Sequence, residues 1–115
     1  MKLKIKKSNI HGNGVFTQED IKKGEKIDSY ILHELIDEDK NFLRRYQYNA
    51  YDNNGFEKYY IMMGIATYIN HSDNPNCKLH LKKYSDEFNE VELTSLREIK
   101  KNEEITILYF ENAMF

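Results

Sequence analysis

The sequence is poor in residues that often organise small folds. Its 115 residues include one cysteine, one proline and no tryptophan. A single cysteine cannot form an internal disulfide, which favours an intracellular, reducing compartment. No apolar run reaches about 18 residues, so we expect no membrane span. No apolar segment follows the basic residues 2–7, so we expect no secretory signal.

A large charge of one sign is also missing. The net charge is −2, and the lysines occur in short clusters interspersed with acidic residues. This pattern is typical of a solvated surface, and we expect no direct nucleic-acid binding. The length fits one domain, residues 1–115. The clear enrichment is in aromatics, with nine tyrosines and six phenylalanines. Tyrosines suit a pocket that is apolar and yet forms hydrogen bonds.

Apolar residues alternate with lysines at the start of the chain. Leu3 and Ile5 predict a short edge strand, whose lysines discourage pairing with another sheet. Asn13-Gly14 predicts a two-residue hairpin turn, because both positions of such a turn need positive φ. Residues 20–25 predict a second turn, closed by Gly24. Residues 25–35 alternate as a longer strand.

The middle of the chain predicts the helical part of the fold. A cap followed by apolar residues at helical spacing is provided by Asp39 or Asn41 and by Phe42, Leu43, Tyr46 and Ala50. Residues 52–55 have turn chemistry. Residues 59–63 predict a strand, and a short helix follows from about Gly64. Residues 78–82, 90–96 and 105–110 predict three further strands, with a charged turn at 98–104.

Residues 68–77 form an irregular polar stretch that contains the only proline and the only cysteine. Asparagine, histidine and serine side chains at this density need hydrogen-bond partners if they are buried. Asn74-Pro75 predicts a turn, because the residue before proline avoids the helical conformation. We therefore expect an ordered polar loop in the middle of the fold.

Taken alone, most motifs have ordinary structural explanations. Gly12-Asn13-Gly14 lacks the third glycine of a dinucleotide-binding motif and the helix after it. His71, Cys77 and His80 would be three ligands of a structural zinc site that needs four, so we expect no metal. Cys77 has apolar neighbours, and such a thiol is more often inert than nucleophilic. Tyr109 alone is typical of a core tyrosine.

The motifs are more specific in combination. Gly-x-Gly at 12–14, Asn-His-Ser-x-x-Pro-Asn-Cys at 70–77 and Glu-Glu-Ile-Thr-Ile-x-Tyr at 103–109 occur in this order. The chain resembles the SET-domain protein-lysine methyltransferases, especially the minimal forms of some large DNA viruses and bacteria. The resemblance extends from about Leu3 to Tyr109. It implies a mainly β fold (β-clip) of several small curved sheets with short inserted helices. It also implies a knot-like crossing, in which the C-terminal strand passes the 70–77 loop.

The resemblance implies S-adenosylmethionine as cofactor. The residues expected to bind it are Gly12, Asn13, Gly14, Phe16, Tyr30, Asn70, His71 and Phe110. Glycines let a ligand approach the backbone closely. The Asn70 amide can both donate and accept hydrogen bonds. Within the resemblance, His71 is expected to position the site, and Cys77 to be a packed thiol.

The resemblance also implies a channel for the target lysine, lined by Tyr48, Tyr68, Ile107 and Tyr109. Tyr109 is expected to be the catalytic residue, whose hydroxyl orients the amine. Methyl transfer needs no metal, so its rate depends on positioning two reactants. Neutralising a lysine of pKa about 10.4 at pH 7 costs roughly 4–5 kcal/mol, and an apolar channel beside a cationic cofactor lowers that pKa. Ile107, which has no hydroxyl, favours di- or trimethylation.

The sequence departs from many family members after Tyr109. No cysteine-rich post-SET segment follows, so we expect Phe110 or Phe115 to close the cofactor pocket, or a homodimer to complete the site. The alternative function is a non-catalytic module that binds a peptide or S-adenosylmethionine without turnover; Tyr109 together with Asn70-His71 argues against it. The expected substrate is a lysine in a protein tail. It would be a histone in the host nucleus for a viral protein, and a ribosomal or DNA-packaging protein in the cytoplasm for a bacterial one.

Overall fold

The computed structural model describes residues 2–34, 47–51, 57–62, 64–83 and 89–109. These residues form β-strands and one short 3-10 helix. In chain order the elements are β1 (Leu3–Lys7), β2 (Asn13–Thr17), β3 (Lys26–Glu34), β4 (Gln47–Tyr51), β5 (Glu57–Met62), the 3-10 helix (Ile65–Tyr68), β6 (Asn70–His71), β7 (Cys77–Lys83), β8 (Asn89–Ser95) and β9 (Glu104–Ile107). The mainly β class predicted from the sequence is confirmed.

One sheet has five antiparallel strands in the order β4-β5-β3-β8-β7. Successive side chains of a strand point to opposite faces, so alternate residues reach the core. Tyr30 is opposite Val91 and Leu79 is opposite Leu93, and all four are buried. The other face is charged, and its Glu92 pairs with a lysine of β7. This sheet therefore forms one wall of the core.

The second sheet has the order β1-β2-β9-β6. β9 pairs antiparallel with β2 and parallel with β6, and its Ile105, Thr106 and Ile107 are buried. The segment after β6 first continues beside β9, where the Ser72 N–H donates to the Ile107 carbonyl oxygen at 2.9 Å. It then turns back to the start of β9, where Asn76 bonds to the backbone of Glu104 and Thr106. The predicted crossing of the C-terminal strand and the 70–77 loop is confirmed.

Several local predictions are confirmed as well. β1 lies at a sheet edge, and the turn before β3 contains Gly24 with a φ of 77°. The strand at 25–35 and the short helix after Gly64 are present as β3 and the 3-10 helix. Among the described residues, no helix is long and apolar enough to cross a membrane.

The first turn differs from the prediction. Asn13 and Gly14 already belong to β2, where they pair with Lys7 and Lys6. The positive φ, 46°, is at Gly12, and the Ser8 N–H donates to the Gly12 carbonyl oxygen at 2.8 Å. The prediction of an Asn13-Gly14 turn is therefore wrong. A loop of residues 8–12 joins the strands, and packing against Glu104 explains the glycine at 14, as shown below.

Two element bounds also differ. Ala50 pairs with Lys58 between β4 and β5, so the predicted helix does not extend to Ala50; strand pairing outweighs the local helical spacing. The rest of that helix and the turn at 52–55 lie outside the described residues. The last strand ends at Ile107, and Tyr109 lies in a turn beyond it. There the Tyr109 N–H donates to a histidine ring and not to a neighbouring strand.

Candidate active site

Three distant segments meet around a cavity of about 410 Å³. They are the β1–β2 loop, the 3-10 helix with β6, and the turn after β9. The residues that line the cavity are His11, Gly12, Asn13, Thr67, Tyr68, Asn70 and Tyr109. The volume is within the range of small-molecule sites, about 300–1,000 Å³. Two amides, an imidazole, a hydroxyl and two phenols give it a lining that is both polar and aromatic.

The Asn70 side chain fastens β6 to the first loop. Its Nδ2 donates to the carbonyl oxygens of His11 at 3.0 Å and Asn13 at 3.2 Å, and to Glu104 Oε2 at 2.8 Å. All three partners are acceptors, so the amide has one favourable orientation. Asn70 Oδ1 accepts no hydrogen bond from the described residues, and Asn70 lines the cavity. This oxygen is therefore available to accept a hydrogen bond from a ligand.

Ser8 links the same carboxylate to the loop. Its hydroxyl donates to Glu104 Oε1 at 2.6 Å. Ser8 Oγ also accepts hydrogen bonds from the backbone N–H groups of Ile10 at 2.9 Å and His11 at 3.3 Å. One hydroxyl thus holds the turn that presents His11 and Gly12 to the cavity. Neither Ser8 nor Glu104 received a role from the sequence, although Glu104 belongs to the 103–109 motif that carried the resemblance.

Gly14 makes room for this carboxylate. A Cβ at Gly14 would overlap Glu104 Oε2, lie 2.8 Å from Glu104 Cδ and lie 3.1 Å from Ser8 Cβ. Contacts below 3.0 Å require the structure to shift. Gly12, in contrast, has nothing within 4 Å of such a Cβ and takes the positive φ instead. The two glycines of the Gly-x-Gly motif are needed for different reasons, one for space and one for backbone conformation.

Tyr109 enters the cavity from the turn after β9. Its hydroxyl donates to the Ile69 carbonyl oxygen at 2.7 Å. Burial, and then the charge of Glu104, raise the pKa of Tyr109, although a hydrogen bond from the His71 backbone opposes them. The phenol therefore keeps its proton at neutral pH and directs it to Ile69. The lone pairs of its oxygen are then the part that can accept from a substrate.

His71 holds the backbone of Tyr109. The Tyr109 N–H donates to His71 Nδ1 at 3.1 Å, and the two ring centroids are 5.2 Å apart. Because Nδ1 accepts, Nε2 carries the proton of the neutral ring. Nε2 lies 2.9 Å from Asp73 Oδ1 and donates to it. Both ring nitrogens are thus hydrogen-bonded, one to Tyr109 and the other to Asp73. This arrangement is expected of a residue that positions others.

Asn76 fixes the crossing that brings Tyr109 to the cavity. Its Nδ2 donates to the Glu104 carbonyl oxygen at 2.8 Å, and its Oδ1 accepts the Thr106 N–H at 2.9 Å. The Asn76 N–H donates to Thr106 Oγ1 at 3.2 Å. A buried side chain thus bonds to the β9 backbone as a neighbouring strand would. The 70–77 loop therefore holds the C-terminal strand through Asn76.

Tyr30 lies in the core beside Gly64, where a Cβ on the glycine would be 3.3 Å from Tyr30 Cδ1. Its hydroxyl is buried and has no hydrogen-bond partner in the described part of the chain. Burial first, and then the nearby Asp28 carboxylate, raise the pKa of Tyr30 well above its usual value. Asp28 acts here mainly as a charge, since it forms no hydrogen bond of normal geometry with this hydroxyl. Tyr30 is not among the residues that line the cavity.

The cavity brings together some of the residues predicted from the sequence: Gly12, Asn13, Tyr68, Asn70 and Tyr109. Others pack behind it or elsewhere: Gly14 against Glu104, Phe16 under the Lys6 ammonium at 4.6 Å, Tyr30 and Ile107 in the core, and His71 against Tyr109. For Tyr48 only the backbone position in β4 is described, and Phe110 lies outside the described residues. His11 and Thr67 line the cavity and were missed. A histidine next to the Gly-x-Gly motif was the available signal for the first, and nothing in the sequence indicated the second.

The described ranges contain no set of side chains that could ligate a metal ion. No group of three or more histidine, cysteine, aspartate or glutamate side chains there could hold a metal ion. Cys77 is buried, and burial raises the pKa of its thiol to about 12. The expectation that Cys77 is a packed thiol is confirmed.

The fold and the cavity define a small β domain in which the last strand passes a central polar loop to complete a ligand site. Residues 12–110 match the SET domain, and the chain belongs to this family. A variant-silencing SET domain-containing protein of Plasmodium falciparum is 35% identical over 126 residues, covering 98% of this chain. An H3 lysine-4 specific histone-lysine N-methyltransferase of Chaetomium globosum is 29% identical over 126 residues, covering 97% of this chain. The chain spans only 5% and 11% of the length of these relatives.

A solved structure has the same fold. The crystal structure of a Plasmodium falciparum protein assigned as a histone methyltransferase has a TM-score of 0.77 and 31% identity. The match covers 95% of this chain and 97% of that one. The resemblance found in the sequence is therefore confirmed at the level of family and fold.

Proposed function

We propose that this domain transfers a methyl group from S-adenosylmethionine to the side chain of a lysine in a protein. The observation that carries the proposal is the meeting of Tyr109, Asn70 and the Gly12 loop around one cavity, in a chain that belongs to the SET domain family. SET methyltransferases use S-adenosylmethionine in general. A purely structural role would need no pocket at this point of convergence.

The lining of the cavity suits an amino-acid and nucleoside ligand. The free oxygen of Asn70 and the carbonyl oxygens at the rim, which have two lone pairs each, are acceptors for an ammonium or for the amino group of a base. Tyr68 and Tyr109 provide aromatic surface, which favours a neighbouring cation such as a sulfonium. When bound, S-adenosylmethionine supplies an electrophilic methyl group. These residues would hold it.

The target lysine must be neutral to react. At a reference pKa of about 10.4, its deprotonation at pH 7 costs roughly 4–5 kcal/mol. The cationic sulfonium of the cofactor, bound close to the amine, would disfavour the charged form of the lysine and lower its pKa. The Tyr109 oxygen, whose own proton is directed to Ile69, would accept from the amine N–H and align its lone pair. Most of the rate then comes from this positioning.

The substrate we propose is a lysine in a protein tail, with histones as the first candidates. The support is the naming of relatives as histone-lysine methyltransferases, one of them H3 lysine-4 specific. The prediction of di- or trimethylation rests on Ile107 as a residue of the lysine channel. In the structure Ile107 is 3% exposed and packed in the core.

The deciding experiment is a methyl-transfer assay. The protein is incubated with methyl-labelled S-adenosylmethionine and either recombinant histones or total lysate, and the labelled band is analysed by mass spectrometry. We expect label on a lysine Nε. A protein that binds the cofactor by calorimetry and yet labels no lysine in any fraction would overturn the proposal of catalysis.

A further inference from the structure

The carboxylate of Glu104 lies behind the cavity wall and does not line the cavity. We propose that Glu104 is a positioning residue: it orients the Asn70 amide and, through Ser8, the loop of residues 10–12, and its charge adapts the cavity to a cationic ligand. The identity of that ligand, S-adenosylmethionine, rests on the proposed function.

The first step concerns Asn70. Its Nδ2 has two hydrogens and three acceptors within 3.2 Å, and the bond to Glu104 Oε2 is the shortest at 2.8 Å. Hydrogen bonds to an ionised carboxylate are roughly twice as strong as neutral ones. A half-turn of the amide would place Oδ1 against three acceptors. Glu104 thus keeps Nδ2 on the protein side and Oδ1 on the ligand side.

The second step concerns Ser8. Its one proton is given to Glu104 Oε1 at 2.6 Å, which leaves the oxygen free to accept from Ile10 and His11. A neutral amide at position 104 could not accept with both of its ends. Its N–H end would face either the Asn70 amide N–H, a donor, or the Ser8 hydroxyl, whose two lone pairs already accept from Ile10 and His11. The loop and the Asn70 amide would no longer be fixed at the same time.

The third step concerns charge. Within the described residues, no lysine, arginine or histidine pairs with Glu104; the recorded ion pairs involve Glu92, Asp73 and Glu98. Its bonded partners are neutral donors, and Gly14 packs directly against it. The charge lies directly behind the lining, since Glu104 Oε2 is 2.8 Å from Nδ2 of Asn70, which lines the cavity. A ligand with a sulfonium and an ammonium gains more from this charge than the thioether product, which has lost the sulfonium.

The test is Glu104→Gln, which keeps the size and removes the charge. The matched control is Glu98→Gln, which makes the same change in net charge in an exposed pair with Lys100. Calorimetry measures the Kd of S-adenosylmethionine and of S-adenosylhomocysteine for each protein. We expect Glu104→Gln to raise the Kd of S-adenosylmethionine about tenfold, to raise that of the product less, and to change the Asn70 side-chain amide signals in NMR spectra of the ligand-free protein. The control should stay within twofold.

A folded Glu104→Gln protein with both Kd values within twofold of wild type and unchanged Asn70 signals would overturn the proposal. If this variant does not fold, Ser8→Ala is the second test. It removes only the linking hydroxyl, and we expect a severalfold weaker S-adenosylmethionine affinity and faster hydrogen exchange at the Ile10 and His11 amides. Unchanged exchange and affinity would equally refute it.

The two proposals fail in different ways. A wild-type protein that binds neither S-adenosylmethionine nor its product refutes the proposed function. In that case the NMR and exchange measurements on the ligand-free protein still decide whether Glu104 orders Asn70 and the loop. A wild-type protein that binds both ligands, with a Glu104→Gln variant that binds them equally well, refutes the role of Glu104 alone.

Discussion

The Tyr109 hydroxyl donates its proton to the carbonyl oxygen of Ile69, at 2.7 Å and across 40 positions of the chain. This bond joins the turn after the last strand to the segment between the 3-10 helix and β6. It also decides which part of the phenol meets a substrate, because the O–H is already used and only the oxygen can still act, as an acceptor.

Tyr109→Phe should abolish most of the activity and leave the fold intact. The loss of one hydrogen bond costs about 0.5–1.5 kcal/mol of stability, whereas loss of a precisely placed polar group in a reacting site typically lowers kcat by about 100- to 1,000-fold. Single-turnover methyl transfer and thermal unfolding measure the two effects. Cofactor affinity within a few-fold of wild type is the internal control. A variant with the wild-type rate would remove Tyr109 from the mechanism.

Asn76→Ala should strongly destabilise the protein. It leaves the Glu104 carbonyl oxygen and the Thr106 N–H without their partners, and each unsatisfied buried group costs about 1–3 kcal/mol. Urea unfolding should therefore show a loss of roughly 2–5 kcal/mol. Asn74→Ala, in the same loop and exposed, is the matched control and should change little. Equal effects of the two substitutions would contradict the role given to Asn76.

Gly14→Ala and Gly12→Ala should destabilise the protein for different reasons, and only the first loss should be reduced by a smaller residue at position 104. At Gly14 the new Cβ overlaps Glu104, whereas at Gly12 it meets open space with a φ of 46°. Left-handed strain at Gly12 should cost about 1–2 kcal/mol, whereas the cost at Gly14 is that of displacing the Glu104 carboxylate from Ser8 and Asn70. Shortening Glu104 to alanine should recover part of the stability lost in Gly14→Ala and none of that lost in Gly12→Ala. A double-mutant cycle by denaturant unfolding measures both; additive effects at Gly14 would refute the contact.

Tyr30→Phe should leave stability unchanged or raise it by up to about 1 kcal/mol, because replacing a buried hydroxyl without a partner removes a desolvation cost. It should also leave the affinity for S-adenosylmethionine unchanged, since Tyr30 does not line the cavity. The sequence resemblance predicts the opposite, a weaker affinity. Thermal unfolding and calorimetry on one variant distinguish these outcomes.

Cys77 should resist alkylation in the folded protein. Its thiol is 1% exposed, and burial raises its pKa to about 12. The thiolate reacts, so iodoacetamide at pH 8 should modify only unfolded chains. The difference in pKa makes the stability depend on pH. The thiol of the unfolded chain has a pKa of about 8.5 and loses its proton at a lower pH than the buried thiol. The stability due to Cys77 is therefore complete below about pH 8.5 and falls as the pH rises toward 12. Rapid labelling without denaturant would contradict the burial, and a urea-unfolded sample is the control.

The sequence predicted most strands because their signals are local, and it predicted the family because three motifs occur in a characteristic order. Alternation predicts β3, β7 and β8, and the 70–77 motif predicts the ordered loop. The failures came from long-range contacts. Asn13-Gly14 has the composition of a hairpin turn, yet Gly14 is required by a side chain 90 positions later. Ala50 continues the helical spacing of apolar residues in the sequence, but its conformation is set by pairing with β5.

Residues behind the cavity were missed for the same reason. Ser8 and Glu104 are separated by 96 positions, and each alone has the ordinary chemistry of a turn or a strand start. Nothing in either local pattern indicates that they share a hydrogen bond. The members of the cavity with recognisable motifs, Gly12, Asn70 and Tyr109, were predicted, because family resemblance supplies long-range pairing that local rules lack.

The crossing of β9 and the central loop also has a consequence for the order of folding. The cavity needs the first loop, the 3-10 helix with β6 and the last strand together, so the contacts that join these three segments each close a long stretch of chain. Such closures are slow, because their entropy is lost before the contacts form. A ligand therefore meets the complete site only after all three segments are in place. During refolding, ligand binding should appear only with the last kinetic phase.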